Sequence, residues 1–180
     1  AKLGGKVTLL GVIGDDAEGQ TIKKLLENQG VTCDFVVEKD LRSICKLRVM
    51  AQNQQLIRVD FEESPLQFNQ EALSTQLRKH LSSHSVVVFS DYGKGSLFNV
   101  ANHIRAAKMA GLKVLTDPKG TDYQRYDGAD VITPNLSEFQ AVVGICKNEE
   151  DLVEKGRSLL KNHNIAASLL TRGEAGMSLI

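Results

Sequence analysis

The sequence predicts an α/β fold built on a mainly parallel sheet with helices on both faces, and three observations carry that prediction. From residue 86 onward, short apolar runs alternate with segments of helical periodicity. Residues after Val31 change to strict apolar and polar alternation, the pattern of antiparallel strands. Residues with phosphate- and metal-binding chemistry follow the apolar runs, at the positions where open α/β sheets bind ligands.

The elements follow in order. Val7 to Val12 is a strand closed by Gly14-Asp15-Asp16, and Ile22, Leu25 and Leu26 share one face of a helix that stops at Gly30. Beyond Val31, Ile44, Leu47, Val49 and Ala51 alternate with polar positions, Asn53-Gln54 interrupts, and Leu56 to Phe61 follows, so two or three antiparallel strands fit. After Pro65, Leu73, Leu77 and Leu81 stripe a helix leading to Val86-Val87-Val88-Phe89, a run that reads as a strand buried on both faces. The cycle then repeats: a helix from Leu97 through Ile104 to Gly111, a strand from Lys113 to Thr116, and another from Val131 to Thr133. A short helix spans Leu136 to Val143, and a longer one carries Leu152, Val153, Gly156, Leu159 and Leu160. Ala167 to Thr171 is the next strand. Parallel neighbours in such a sheet require right-handed crossovers.

Composition narrows the function. The 180 residues, 42% hydrophobic and 24% charged, suit one globular core and are short for two. Twenty-two basic residues balance twenty-two acidic ones, so no net field draws nucleic acid or an anionic membrane, and any anion must be gripped locally. Cys33, Cys45 and Cys146 lack any C-x-x-C spacing, which argues against a disulfide framework and a zinc site. His80, His84, His103 and His163 also lack metal-ligand spacing. No apolar run approaches the roughly 20 residues of a membrane span and no signal peptide is evident, so a cytoplasmic protein is expected.

Five strand ends carry chemistry: Gly14-Asp15-Asp16, Ser90 to Gly95, Asp117-Pro118-Lys119-Gly120, Pro134 to Glu138, and Arg172 to Gly176. Asn135 and Glu138 lie three apart at a helix start, which suits a capping box and equally a water-bound magnesium ion at Glu138 with Asn135 facing nucleotide phosphates. Asp117-Pro118-Lys119 places a carboxylate and an ammonium on a rigid turn, suited to phosphate or to a surface ion pair. Thr171 to Gly176 is a glycine turn at which backbone can approach a phosphate or base, although any tight turn can use the same glycines. Asp91 and Lys94 belong to a loop that reads either as solvated or as a wall of a phosphoryl-transfer cleft. Lys46 and Arg48, two apart on a strand, project from one face, joined by Arg58 if the hairpin register permits. Two like charges there suit an anion such as a sugar phosphate, or a solvated face.

Taken in order, these segments resemble the ribokinase-like (PfkB-type) carbohydrate kinases. Gly11 to Gly19 matches the family's G-x-x-G-x-D-x-x-G element, Thr133 to Glu138 its N-x-x-E element, and Thr171 to Gly176 its nucleotide-binding turn. The heptose 7-phosphate kinase branch is more similar still, through Lys46 to Val49, Asn53 to Glu63, Ser90 to Gly95 and Asp117 to Asp122. The resemblance implies a ribokinase-like doubly wound sheet with a small β-sheet lid at about residues 31–61, within one kinase domain over residues 1–180 that is incomplete at both ends. It implies ATP and magnesium as cofactors, and transfer of the γ-phosphoryl group to the anomeric hydroxyl of D-glycero-β-D-manno-heptose 7-phosphate in lipopolysaccharide core synthesis. On it, Lys46, Arg48, Asp91 and Lys94 would bind the sugar phosphate. Lys119, Asn135, Leu136, Ser137, Glu138, Thr171, Arg172, Gly173 and Gly176 would bind nucleotide, with Glu138 reaching the metal through water. A homodimer clasped through the lid is expected, as is an adenylyltransferase fused in many relatives. The family's catalytic base lies in a D-T-x-G-A-G-D loop, which would fall beyond Ile180, so these 180 residues alone are expected to be inactive. The competing reading is a non-catalytic shortened paralogue that binds nucleotide or a partner through the lid. A Rossmann-type dehydrogenase is disfavoured because no G-x-G-x-x-G follows the first strand.

Overall fold

The computed structural model describes residues 1–62 and 68–180. They fall into two compact units, residues 1–76 with 94–96, and residues 77–93 with 97–180.

In the first unit, β1 (Val7–Gly14) pairs with β2 (Val31–Glu38) across α1 (Ala17–Glu27). The pairing is parallel, which corrects the antiparallel expectation for the first strand after Val31. An intervening helix supplies the long connection that a parallel pair needs. Asp16 caps α1 by accepting the Gly19 N–H at 2.7 Å, and its other oxygen accepts the Ser43 N–H at 2.7 Å. The Ser43 hydroxyl accepts the Gly14 N–H at 2.9 Å, so one carboxylate and one hydroxyl tie the end of β1, the start of α1 and the 41–43 loop together. The hydrogen bonds from Ser43, then that from Gly19, hold the Asp16 carboxyl below its usual value.

The antiparallel pair is β3 (Cys45–Ala51) with β4 (Gln54–Phe61). Gln52 and Asn53, at φ 43° and 68°, make its two-residue turn. Positive φ at both central positions gives a turn whose twist matches the strands. The register sets Lys46 opposite Asp60 and Arg48 opposite Arg58, with an irregularity between Val49 and Met50. Leu47 opposite Val59 and Val49 opposite Ile57 form the other face, exposed from 36% at Val59 to 55% at Ile57.

The helix α2 (Gln70–Leu81) buries the expected stripe of Leu73, Leu77 and Leu81. In the second unit, β5 (Val86–Ser90), β6 (Lys113–Asp117), β7 (Val131–Ile132) and β8 (Ala167–Thr171) are parallel neighbours in that order, and β9 (Met177–Leu179) closes the sheet antiparallel to β8. The connections carry α3 (Val100–Met109), α4 (Leu136–Val143) and α5 (Glu149–Asn162). Val100, Ile104, Val114, Ile132, Phe139 and Leu170 are each at most 1% exposed and make the core of this unit. Burying each such side chain contributes about 1.5–3 kcal/mol.

The strand β5 departs from the expectation of two buried faces. Phe89 is 5% exposed, whereas Val86 and Val88 are 45% and 65% exposed. It is an edge strand of this sheet, and an apolar run records a tendency to be covered without recording what covers it. Among the described residues, no helix is long and apolar enough to cross a membrane.

Candidate active site

Four of the five strand ends singled out in the sequence follow β5 to β8, neighbouring parallel strands; Ser90 to Gly93 and the other three share one edge of the second unit, while Lys94 and Gly95 belong to the first. The fifth, Gly14-Asp15-Asp16, ends β1 in the first unit, where Asp16 is fully engaged as a cap.

At the edge, Asn135 is the N-cap of α4 and accepts the Glu138 N–H at 2.9 Å, while Glu138 Oε2 accepts the Asn135 N–H at 3.2 Å. The capping box is therefore present. It also fixes the Glu138 carboxylate at the helix N-terminus, next to the orphan N–H groups and positive dipole end that attract anions. The other oxygen, Oε1, lies 3.1 Å from Lys119 Nζ. Thr133 donates its hydroxyl to Asp117 Oδ1 at 3.3 Å. Leu136 and Ser137 complete the first turn, with Ser137 exposed.

The β8 end closes on the β7 end. The Thr171 N–H donates to the Pro134 carbonyl at 2.9 Å, and Asn135 and Thr171 form a parallel bridge. The turn that follows is shut by the Arg172 N–H on the Gly176 carbonyl at 2.8 Å, and both Gly173 (φ 59°) and Gly176 (φ 80°) use the left-handed conformation that glycine accepts without strain. Arg172 is not free to meet a ligand as it stands. Its guanidinium pairs with both oxygens of Glu149 and donates to Ser178 Oγ at 3.0 Å.

Asp91, expected to contact the sugar, is turned inward. Its side chain is 3% exposed, Oδ1 accepts the Gly93 N–H at 2.8 Å, and Oδ2 accepts the Tyr126 hydroxyl at 2.8 Å with Arg125 3.3 Å away. A carboxylate engaged in this way anchors the loop.

Two residues that the sequence reading left out stand here, Tyr123 and Tyr126. They form a short 3-10 turn after β6, edge to face with ring centroids 5.8 Å apart. Burial, then the negative charge of Glu138, pushes the Tyr123 phenol up, and its buried hydroxyl has no hydrogen-bond partner among the described residues. Two tyrosines three apart in a loop give no periodicity, so only the geometry reveals them.

The sugar-side candidates form a separate cluster in the first unit. Lys46 Nζ lies 3.2 Å from Asp60 and 3.5 Å from Glu62, Lys94 Nζ lies 2.7 Å from Glu62, and Arg58 Nη2 lies 2.7 Å from Asp60. The contact with Arg58 holds the Asp60 carboxyl below its usual value, and Lys94 does the same for Glu62. Arg48 and Arg58 occupy opposite register positions, which places Arg58 with Lys46 and Arg48 on one face. Among the described residues, Arg48 is the cation of this group without a hydrogen bond or ion pair, so four cations meet two carboxylates.

The family model described as "pfkB family carbohydrate kinase" matches residues 1–180. The chain is 45% identical over its whole length to the "Bifunctional protein HldE" of Actinobacillus succinogenes, and 47% identical to the protein of the same name from Escherichia coli (strain K12 / DH10B), covering 38% of each. It thus spans well under half the length of these relatives. Among solved structures, the ribokinase of Giardia lamblia superposes with a TM-score of 0.78 at 16% identity, over 96% of this chain and 58% of that one. That likeness establishes the ribokinase-like fold, and the match across all 180 residues places the chain in the pfkB family of carbohydrate kinases.

Proposed function

We propose that this chain is part of an ATP-dependent sugar kinase that phosphorylates the anomeric hydroxyl of D-glycero-β-D-manno-heptose 7-phosphate, in the route to ADP-heptose and lipopolysaccharide core. The observation that carries the reading is the convergence of Asp117, Lys119, Asn135, Glu138 and the Thr171–Gly176 turn on one edge of a parallel sheet. Lys119 and the N-terminus of α4 bind the nucleotide phosphates, and the glycine turn lets backbone approach the nucleotide. Magnesium fits this donor set through water. Asp117 and Glu138 are hard oxygen donors on adjoining strand ends, and Mg²⁺ is commonly held by one or two carboxylates with its waters and the substrate phosphates. The Tyr123 hydroxyl, without a partner among the described residues and in the field of both carboxylates, is a further polar atom that such waters would satisfy. When bound, the ion neutralises charge on the transferring phosphates.

Lys46, Arg48 and Lys94 bind the 7-phosphate of the sugar. Arg48 has the largest expected effect among them because its guanidinium has no partner among the described residues, whereas Lys46 and Lys94 already share Glu62. In the full-length protein, Arg48→Ala should weaken heptose 7-phosphate binding about tenfold, the size expected for one charge-assisted hydrogen bond. Affinity for ATP should hardly move, and calorimetric titration of both ligands checks this. Equal losses for the two ligands would assign the arginine to the fold or lid.

The hairpin also serves as the contact between two copies of the protein. Its face of Leu47, Val49, Ile57 and Val59 lies opposite the cations and is exposed in the single chain. Ile57→Asp should convert the dimer to a monomer in sedimentation velocity runs. An unchanged sedimentation coefficient would exclude this face.

A further inference from the structure

We infer that Tyr126 is a positioning residue that sets where Lys119 presents its ammonium to the nucleotide, and this rests on the reading of Lys119 as a phosphate-binding residue. The side chain of Tyr126 is 0% exposed, and its single hydroxyl serves two strand ends at once. It accepts the Lys119 N–H at 3.0 Å and donates to Asp91 Oδ2 at 2.8 Å, with the Lys119 carbonyl 3.1 Å away. A phenol carries one hydrogen, and the charged, nearer Asp91 oxygen takes it.

Lys119 lies just past the end of β6, where the ladder to the neighbouring strands has stopped, and Gly120 beyond it turns at φ 81°. Its backbone is therefore placed by the phenol rather than by sheet pairing. Its ammonium, on a side chain 53% exposed, has only Glu138 as partner among the described residues. A long side chain can be aimed no better than its backbone is held.

The anchor is itself anchored. Asp91 is fixed by the Gly93 N–H and by Arg125, its own N–H donates to the Asp117 carbonyl at 3.0 Å, and Arg125 donates to the Leu97 carbonyl at 2.8 Å. Tyr126 packs edge to face on Tyr123, and the Arg125 guanidinium lies 5.7 Å from its ring centroid. Burial, together with the Asp91 carboxylate, pushes the Tyr126 phenol up to about 12, so the hydroxyl keeps its proton across the working range of an enzyme. The buried Asp91, which the sequence suggested as a substrate contact, thus acts through Tyr126 on the nucleotide side.

Tyr126→Phe, made in the full-length enzyme, keeps the ring and removes only the hydroxyl. The KM for ATP should rise about tenfold while that for the sugar phosphate stays within about twofold. The second arm is a double-variant cycle with Lys119→Ala. If the hydroxyl works through Lys119, the double variant should bind ATP no worse than Lys119→Ala alone. A wild-type KM for ATP in Tyr126→Phe, whatever its melting temperature, overturns the inference, as do effects that multiply in the double variant or an equal rise in both KM values. Should Tyr126→Phe fail to fold, Asp91→Asn, which weakens the same hydrogen bond while keeping its shape, takes its place with the same two readouts. Lys119→Ala with unchanged ATP affinity would sink the nucleotide-site reading and this inference together. A Lys119→Ala defect beside a normal Tyr126→Phe would sink this inference alone.

Discussion

Gly14→Ala should lower the thermal unfolding midpoint by about 10 °C, whereas Gly11→Ala, three residues earlier in the same G-x-x-G-x-D-x-x-G element, should leave it nearly unchanged. A Cβ at Gly14 would stand 2.2 Å from the Leu41 carbonyl oxygen, 2.7 Å from Asp16 Oδ2 and 2.9 Å from the Ser43 nitrogen. Two of those atoms are backbone and the third is the carboxylate that caps α1, so no flexible side-chain tip can swing away. Relief must come from moving the 41–43 loop, which breaks the Asp16 and Ser43 hydrogen bonds as well. Overpacking of this kind costs about 3 kcal/mol, and a chain of this size shifts by about 2–4 °C for each kcal/mol. At Gly11 the nearest atoms are the Phe35 ring carbons at 3.7 Å, an ordinary contact. Scanning calorimetry of both variants checks the pair. Equal midpoints would mean that the loop gives way without loss, and that the second glycine of the element is kept for another reason.

Glu138→Gln should reduce kcat/KM by about 10–100-fold at limiting magnesium, with partial recovery as magnesium is raised, and change the unfolding free energy by less than about 0.5 kcal/mol. Glutamine can fill the third position of a capping box, so the variant keeps the bond to the Asn135 N–H while discarding the charge. The pair with Lys119 goes too, but that lysine is half exposed and such pairs contribute little. Asn135→Ala makes the complementary test, because it removes the acceptor for the Glu138 N–H and should cost about 0.5–2 kcal/mol in stability. Steady-state kinetics over a magnesium series, with denaturant unfolding of the same samples, separates the two roles. A normal magnesium response in Glu138→Gln would leave the carboxylate as a cap and nothing more.

The parallel sheet was legible because apolar runs and helical stripes alternate over residues 86–171, and Leu136–Val143 and Ala167–Thr171 fall where the pattern puts them. The hairpin faces were also legible, since a period of two leaves Lys46 and Arg48 on one side whatever the partner, and the register adds Arg58 there. Pairing direction was not. The helix ending at Gly30 already points to a parallel return of β2 beside β1, but the alternation after Val31 marks a half-exposed strand whatever its direction, and the strand's own residues do not say which neighbour it pairs with. The protein partners of Asp91 and Arg172 escaped for a related reason. A charged residue after a strand looks the same in sequence whether it faces a ligand or is spent on Tyr126 or Glu149, partners 35 and 23 residues away.

The turn at Gln52 and Asn53 decides which chemistry each side of the hairpin displays. A connection one residue longer or shorter would shift β4 against β3 and send Arg58 and Asp60 to the side now held by Ile57 and Val59. The ion pairs would be dismantled and the greasy side would acquire charge in the same step. On the proposed reading, selectivity for an anionic sugar and the capacity to meet a second copy are thus locked to a single geometric choice, and an insertion or deletion at this tip that altered one would spoil the other.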